Sequence, residues 1–565
     1  MRENKRLRRS GAAIMASLIL LLGSLAWVMV LAVINGTAGF LCAMGVTLSG
    51  AAGIAKALGE PIGLSYGGIM ALAIGCGILR GLLRYLEQYS NHYIAFRLLA
   101  VLRDKIFGAL RVLCPAKLES KQKGSIIAMI TADIETLEVF YAHTISPVCI
   151  AVLVSGCVVV FVGVVSSWWL SLVAVAGYCT VGILVPLGSS ARLKESGVRY
   201  RGEFASFSAY FLDSIKGIRD IVLHNGGETR KKEVDRRSEV LLQETKKMKR
   251  DTTAAAATTE LLVSLFILIT LGVGIFLVAN NGLTVGRMLL GVTAVFGSFG
   301  PVIAISALPG NLTQTFAAGD RVLNLLAEEP VVRPVEQGTA LDNLKSLAVR
   351  HVSFSYDGEA QVLSDICMKV NRGEIVGIVG ASGCGKSTLL KLLLRFWQKD
   401  RGEILYNGTE IEAINSDSLL EHVTMVSQTT YLFDTTIEEN LRIAKPDATR
   451  QELEDACKQA SVHELIRTLP EGYQTQVGAL GDNLSAGEKQ RIGLARAFLR
   501  KSELILLDEP TSNVDSINEG IILRALKEHK KERGMILVSH RESTMAIADC
   551  VYRMEGGRVV AENGA

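Results

Sequence analysis

Six apolar stretches in the first three hundred residues leave this chain few folds to adopt. Each approaches the roughly 20 residues that carry an α-helix across a hydrocarbon core of about 30 Å. In that solvent the backbone must satisfy its own hydrogen bonds, so long uninterrupted apolar runs can only be spanning helices. The first starts near Ile14 and stays apolar past Ile34 toward Ser49. A turn at Gly59-Glu60-Pro61 precedes the second, Leu64 to Leu83, which turns charged at Arg84 yet keeps helical spacing to Leu113. Pro147 to Val165 is the third, and only Ser166-Ser167 parts it from the fourth, Trp168 to Leu187, a tight hairpin with tryptophans at an interface. Leu261 to Val278 and Met288 to Ile305 complete the set around Asn280-Asn281-Gly282. The basic residues Arg2, Lys5, Arg6, Arg8 and Arg9 could open a signal peptide, but the run after them is too long and more spans follow. They read as the start of a membrane anchor.

Charge sets the expected orientation. Arg97, Arg103, Lys105, Arg111, Lys117, Lys121 and Lys123 follow the second span. Arg192, Lys194, Arg199, Arg201, Lys216, Arg219 and the cluster Arg230 to Arg250 follow the fourth. The opposite loops carry little beyond Lys56 and Arg287. The positive-inside rule puts both charged excursions and both termini in the cytoplasm of a multi-pass protein of the inner (plasma) membrane, embedded in lipid. The excursion tips, near Ala116 to Gly124 and Phe211 to Asn225, are expected to reach toward the soluble part. A formal net charge of +4 over 565 residues does not call for nucleic acid. Ten cysteines without a C-x-x-C pair read as neither a disulfide framework nor a metal site.

The remaining two hundred residues read as a soluble α/β domain. Ile375 to Val379 is an apolar strand, and Gly380-Ala381-Ser382-Gly383-Cys384-Gly385-Lys386-Ser387-Thr388 follows it directly into a helix with Leu389, Leu390, Leu392 and Leu393. In that setting the glycine loop wraps backbone N–H groups around phosphates at a helix N-terminus. Lys386 would reach the β- and γ-phosphates, and Ser387 would offer an oxygen to Mg²⁺. About 120 residues on, Leu504 to Leu507 form a buried strand ending in Asp508-Glu509. Asp508 is placed to hold Mg²⁺ and Glu509 to polarise the attacking water. Ser485 and Gly487, in Leu484-Ser485-Ala486-Gly487-Glu488, stand before another helix where a phosphate could approach closely. Gln428 suits a sensor of Mg²⁺ and water, His540 a contact to the γ-phosphate, and Tyr356 a stacking surface for adenine. Singly each is an ordinary loop or core residue. Their order around the two strong motifs gives them weight.

These motifs together resemble the nucleotide-binding domain of ATP-binding cassette (ABC) proteins, from about Leu347 to Ala565. The phosphate loop, Gln428, the signature Leu484 to Glu488, Asp508 with Glu509, the D-loop Ser512-Asn513-Val514-Asp515 and His540 each match. The resemblance implies an α-helical six-span transmembrane domain (1–327), a linker (328–346) and an α/β P-loop ATPase domain of ABC type (347–565). It further implies an exporter half-transporter that uses ATP and Mg²⁺ and pairs with a second half, each ATP lying between one chain's phosphate loop and the other's signature. Ala486 and Glu488 depart from the usual L-S-G-G-Q, and Ala479 stands where exporters usually carry a glutamate. These departures point to an asymmetric, heterodimeric pair.

A narrower resemblance lies in and after the second span. Arg80, Arg84-Tyr85-Leu86-Glu87, His92, Arg97, Leu113-Cys114-Pro115, Ala132 to Leu137 and Ile145-Ser146-Pro147 are similar to half-transporters of cysteine and glutathione export and cytochrome bd assembly. That family implies a small thiol substrate and an association with haem, with His92 as a candidate contact. Arg80, Arg84, Glu87 and Asn91 share one helical face, and Arg80 lies deep in the apolar span. Two readings stand side by side. Arg80 and Arg84 form an anion-binding wall, or Arg84 pairs with Glu87 while Arg80 snorkels to headgroups. Lipid, peptide or drug export, and a non-transporting regulatory or assembly role, are the alternatives.

Overall fold

The computed structural model describes residues 9–116, 123–280, 282–306, 309–356, 358, 360–478, 481–512 and 514–562. Expectations that fall on Arg2, Lys5, Arg6, Arg8, Lys117, Lys121, Asn281, Ala479 and Asn513 lie outside these residues. The chain divides into two compact units at Ala327 and Glu328, and residues 110–116, the end of the helix that closes at Leu113 and the turn after it, group with the second.

The first unit is helical. Its helices are α1 (Gly11–Leu20), α2 (Gly23–Ala57), α3 (Tyr66–Leu113), α4 (Ile126–Val165), α5 (Trp168–Lys216), α6 (Ile218–Leu223), α7 (Gly227–Ala279), α8 (Val285–Ser306) and α9 (Pro309–Leu326). Six of them, α2, α3, α4, α5, α7 and α8, are long and apolar enough to cross a membrane. One expectation needs correcting. The first apolar run is two helices, because Gly23 takes φ +47° and the chain breaks beside it. Only glycine adopts that conformation cheaply.

The charged excursions are continuous with the spans. At 1.5 Å per residue the 53 residues of α7 extend about 80 Å, more than twice a hydrocarbon core. The α5–α7 tip turns through Gly217, α6 and Gly226. Arg230 at the start of α7 pins it, donating to Asp213 Oδ2 (2.6 Å) and Ser214 Oγ (2.7 Å) with its guanidinium 3.9 Å from the centre of the Tyr210 ring. Among the spans, Val158 and Val162 of α4, Leu170 and Ala174 of α5, and Phe299 and Val302 of α8 share one buried cluster. The Ser166-Ser167 hairpin is tight as expected, since a Cβ on Gly163 would sit 2.5 Å from the Trp168 ring. The hydrogen-bonded turn widens from i→i+4 to i→i+5 over Met129–Asp133 and Tyr141–Ile145 in α4, and over Thr180–Leu184 in α5. Asp133, in the first of these turns, receives a bidentate pair of bonds from Arg321 of α9 at 2.6 and 2.7 Å.

The second unit has two sheets. A four-stranded antiparallel sheet orders β2 (Gln361–Asn371), β1 (Ser346–Ser355), β4 (Arg401–Tyr406) and β5 (Thr409–Glu410). A six-stranded sheet orders β10 (Arg558–Glu562), β9 (Cys550–Glu555), β3 (Ile375–Gly380), β8 (Gly534–Ser539), β7 (Leu504–Asp508) and β6 (Val423–Val426), with β10 alone antiparallel to its neighbour. Strands β7 and β8 are buried at every residue. Such uninterrupted apolar runs are what a parallel sheet covered on both faces requires.

Candidate functional site

Parallel strands deliver their carboxyl ends to one edge of a sheet, and in open α/β sheets ligands bind there. Here β3 ends at the glycine loop, β7 at Asp508, β8 just before His540 and β6 two residues before Gln428. The register fixes their neighbourhood, with Val379 opposite Ser539, Asp508 opposite Val538 and Val426 opposite Leu507.

The loop is built for an anion. Gly383 and Gly385 have φ of +83° and +103°, and Gly385 caps α10 (Lys386–Leu393). A Cβ on Gly385 would meet Leu363 Cδ2 at 2.7 Å, and one on Gly380 would meet the Met554 carbonyl at 2.3 Å. The cradle therefore excludes side chains at both ends. Lys386 Nζ donates to the carbonyls of Gly380 (2.8 Å) and Ala381 (2.9 Å), folded back over the loop that Ser382 and Cys384 complete. Ser387 Oγ donates to Asp508 Oδ1 at 3.0 Å, bringing a hydroxyl and a carboxylate together as a pair of hard oxygen donors, the chemistry Mg²⁺ prefers. Burial raises the Asp508 pKa, Glu509 next to it adds to that, and the Ser387 bond opposes it. A cation held here would relieve the buried charge.

Glu509 is the centre of a second group. Gln428 Nε2 donates to its Oε2 at 3.1 Å, and His540 Nδ1 lies 3.2 Å from its Oε1. Its own backbone has φ +47°, uncommon for a residue with a side chain, and its N–H continues the sheet by donating to the Val538 carbonyl at 2.9 Å. That kink turns the carboxylate away from the strand toward Gln428 and His540. Tyr356 stands half-buried beyond β1, its hydroxyl 2.9 Å from Thr388 Oγ1 and its ring edge-on to Trp397 at 4.8 Å.

The signature residues form a helix start. Ser485 caps α15 (Ala486–Arg500; helices α11 to α14 are Ser416–His422, Ile437–Arg442, Arg450–Gln459 and His463–Thr468), and Glu488 completes a capping box with Ser485 N donating to its Oε2 at 2.8 Å. The glutamate in place of the usual glutamine thus serves the helix that carries it. A Cβ on Gly487 would touch Asn518 at 3.0 Å, beside the cap Asp515 of α16 (Ser516–Glu528).

Sequence reasoning missed three tethers of this edge. Buried Gln490 accepts from Thr430 Oγ1 (3.1 Å) and donates to the Ser427 carbonyl (3.1 Å), tying α15 to the Gln428 loop. Arg541, next to His540, donates to Glu519 Oε2 (3.0 Å) and to the Ser512 carbonyl (3.2 Å). Glu519 also accepts from Ser543 and Thr544. Adjacency to His540 was the only signal for Arg541. Nothing local marks Gln490 or Glu519.

In the helical unit, Arg84 Nη1 donates to buried Glu87 Oε2 at 2.7 Å, as the pairing reading expected. Arg80 is exposed and makes no ion pair among the described residues. Buried Asn91 lies on the same helix, and His92 stands edge-on to His143 with ring centres 6.0 Å apart. The sequence reading passed over the ladder Tyr85, Tyr89 and Tyr93, whose exposed rings stack at 6.2 and 6.5 Å.

Residues 12–302 match the family model of the ABC transporter transmembrane region, and residues 363–512 that of the ABC transporter. A Haemophilus influenzae protein named as an ABC transporter ATP-binding/permease protein is 46% identical over 98% of this chain and 100% of its own length. The chain belongs to the ABC transporter family. A Bacillus subtilis protein named for multidrug export is 31% identical over 86% of this chain and 83% of its own. A solved ATP-bound bacterial Atm1-family ABC exporter shares the fold, with a TM-score of 0.81 at 24% identity over 96% of this chain and 95% of that one. This ABC transporter is accordingly an exporter half with fused transmembrane and ATP-binding domains, a multi-pass membrane protein and an ATPase that uses ATP and Mg²⁺ and acts as a dimer.

Proposed function

We propose that this exporter half works in a heterodimer that moves a small carboxylate-bearing thiol, such as cysteine or glutathione, out of the cytoplasm across the inner membrane, with its ATPase domain on the cytoplasmic side. In the ATPase domain Lys386 and the glycine loop bind the phosphates, and Ser387, Asp508 and Gln428 would hold Mg²⁺, which would supply charge neutralisation there. Glu509 takes the proton of the attacking water, and His540 contacts the γ-phosphate. The single observation that carries the chemistry is the convergence of Gln428 and His540 on the Glu509 carboxylate.

The heterodimer rests on the signature. Glu488 places a carboxylate at the helix start that would face the partner's ATP, where positive potential is wanted. The chain alone should hydrolyse ATP slowly, with activity restored by a distinct partner; full turnover in a homodimer refutes this. The substrate rests on Arg80, an exposed cation in the apolar part of α3 that makes no ion pair among the described residues. Arg80→Ala should abolish stimulation of ATPase by cysteine or glutathione and leave basal turnover intact. Undiminished stimulation would favour the second reading, export of apolar aromatic compounds. That reading is supported by the exposed Tyr85, Tyr89 and Tyr93 ladder and by the multidrug export names of relatives. Haem is the weakest member of the substrate set, since it rests on His92 and its neighbour His143 alone; His92→Ala should then shift the absorption of any bound pigment.

A further inference from the structure

The antiparallel sheet of the ATPase domain carries a cluster that ATP chemistry does not use. Strands β1 and β2 pair in register at Val349 with Met368, Val352 with Ile366, and Phe354 with Leu363. Between the first two pairs β1 has two residues against one, and between the second two pairs β2 has two against one. Two bulges on opposite strands therefore flank the Val352–Ile366 pair. The surplus residues include His351 and Asp365, and both adopt left-handed backbone, with φ of +49° and +57°. Bulges re-aim side chains, and side-chain-bearing residues in this conformation are uncommon. The result is that His351 turns outward beside Arg350 where strict alternation would bury one of them.

His351, Asp365 and Cys367 consequently share the exposed face of the sheet. His351 Nδ1 lies 2.7 Å from Asp365 Oδ1 and 3.7 Å from Cys367 Sγ, and all three donor atoms fall within 4.8 Å of one another. The backbone is tied in at the same place, with His351 N donating to Cys367 Sγ (3.3 Å) and Asp365 N to Ser353 Oγ (3.1 Å). We propose that His351, Asp365 and Cys367 form a binding site for a zinc-like divalent transition-metal ion, with solvent in the fourth position.

The donor set and spacing carry this. Tetrahedral zinc binds nitrogen and oxygen at about 2.0 Å and sulfur at about 2.3 Å, which sets donors about 3.3 to 3.5 Å apart. The observed separations bracket those values, so small side-chain rotations on a fixed backbone reach them. Imidazole and thiolate select zinc, cobalt and similar ions over Mg²⁺ and Ca²⁺. On binding, Cys367 releases its proton to solvent, His351 keeps its proton on Nε2, and Asp365 binds as the carboxylate. Two anionic ligands then neutralise the dication. A plain histidine–aspartate hydrogen bond would not need the thiol of Cys367, whose sulfur lies 3.7 Å from the same ring nitrogen.

The test uses the full-length transporter in detergent, stripped with chelator and titrated with Co²⁺. One equivalent should bind per chain with a near-ultraviolet thiolate-to-cobalt band. Cys367→Ser should remove the band with basal ATPase unchanged, and His351→Gln should weaken binding at least about tenfold. On the unsubstituted protein, Zn²⁺ should slow maleimide alkylation of Cys367, mapped by mass spectrometry, at least about tenfold while leaving the other cysteines unchanged. A cobalt band that survives Cys367→Ser, or Cys367 alkylation indifferent to Zn²⁺, would overturn the site.

Discussion

Replacing Glu509 by glutamine separates water activation from nucleotide binding. The carboxylate holds two neighbours, Gln428 Nε2 at 3.1 Å and His540 Nδ1 at 3.2 Å, and neither belongs to the glycine loop. A glutamine keeps one acceptor oxygen for one neighbour and turns an amide toward the other. That exchange costs about 1 kcal/mol, the worth of a typical hydrogen bond, and so less than a tenfold change in affinity. The lost proton acceptor costs far more. General-base catalysis contributes about 10²- to 10⁴-fold, or roughly 3 to 5 kcal/mol at 1.36 kcal/mol per decade. The left-handed backbone is shared by both side chains, so its strain cancels. Phosphate release by the assembled transporter should fall at least about a hundredfold, while a fluorescent ATP analogue binds within tenfold of its original affinity. Turnover within tenfold of the unsubstituted protein, or affinity falling in step with turnover, would show that Glu509 is not the base.

Two further predictions concern stability. Burial raises the Asp508 pKa, so the folded chain holds that proton more readily than the unfolded one, and stability falls as pH rises from the ordinary carboxylate value through the raised one. Asp508→Asn should remove that slope: in chelator without nucleotide, its melting-temperature advantage should grow as pH rises above about 4 and then level off, while Mg²⁺-dependent nucleotide binding is lost. An unchanged pH profile would sink the assignment. Arg321→Ala leaves the buried Asp133 carboxylate without its bidentate partner and should cost about 1 to 3 kcal/mol by thermal unfolding, discounted because Arg321 is half-exposed. Arg321→Lys should recover only part, since an ammonium cannot match both oxygens in a plane, and full recovery would argue against the bidentate geometry.

The spans were readable because a bilayer leaves no other use for runs such as Pro147 to Val165. Their length beyond the apolar spans was readable too, since Arg84 to Leu113 keeps its helical period after turning polar. The break between α1 and α2 was hidden, because Leu20-Leu21-Leu22-Gly23 contains no polar residue and glycine is frequent in such helices. In the ATPase domain, the phosphate loop and Asp508-Glu509 announce themselves through local strand-and-turn chemistry. Gln428 and His540 depended on their order along the chain, for the sheet edge that unites them is a tertiary fact. Glu488 was read only as a departure from L-S-G-G-Q. The pattern S-x-x-E before a helix was nonetheless present, and it foretold the cap. The donor cluster at His351 was invisible because bulges obey no sequence period.

The widened turns of α4 and α5 bear on how this molecule tolerates changes of length. Deleting one residue from an ordinary helix swings everything beyond it by about 100° and draws it in by about 1.5 Å, exchanging buried for exposed faces. A widened turn already houses one residue more than a regular helix needs. Removing a residue within Tyr141–Ile145 therefore lets that turn relax to regular spacing, leaving the stripe Ile150, Val154 and Val158 facing the same neighbours. The same deletion a few turns later would throw that stripe out of phase. Along α4, then, single-residue deletions are absorbed most easily at these turns, and related chains one residue shorter should differ there first.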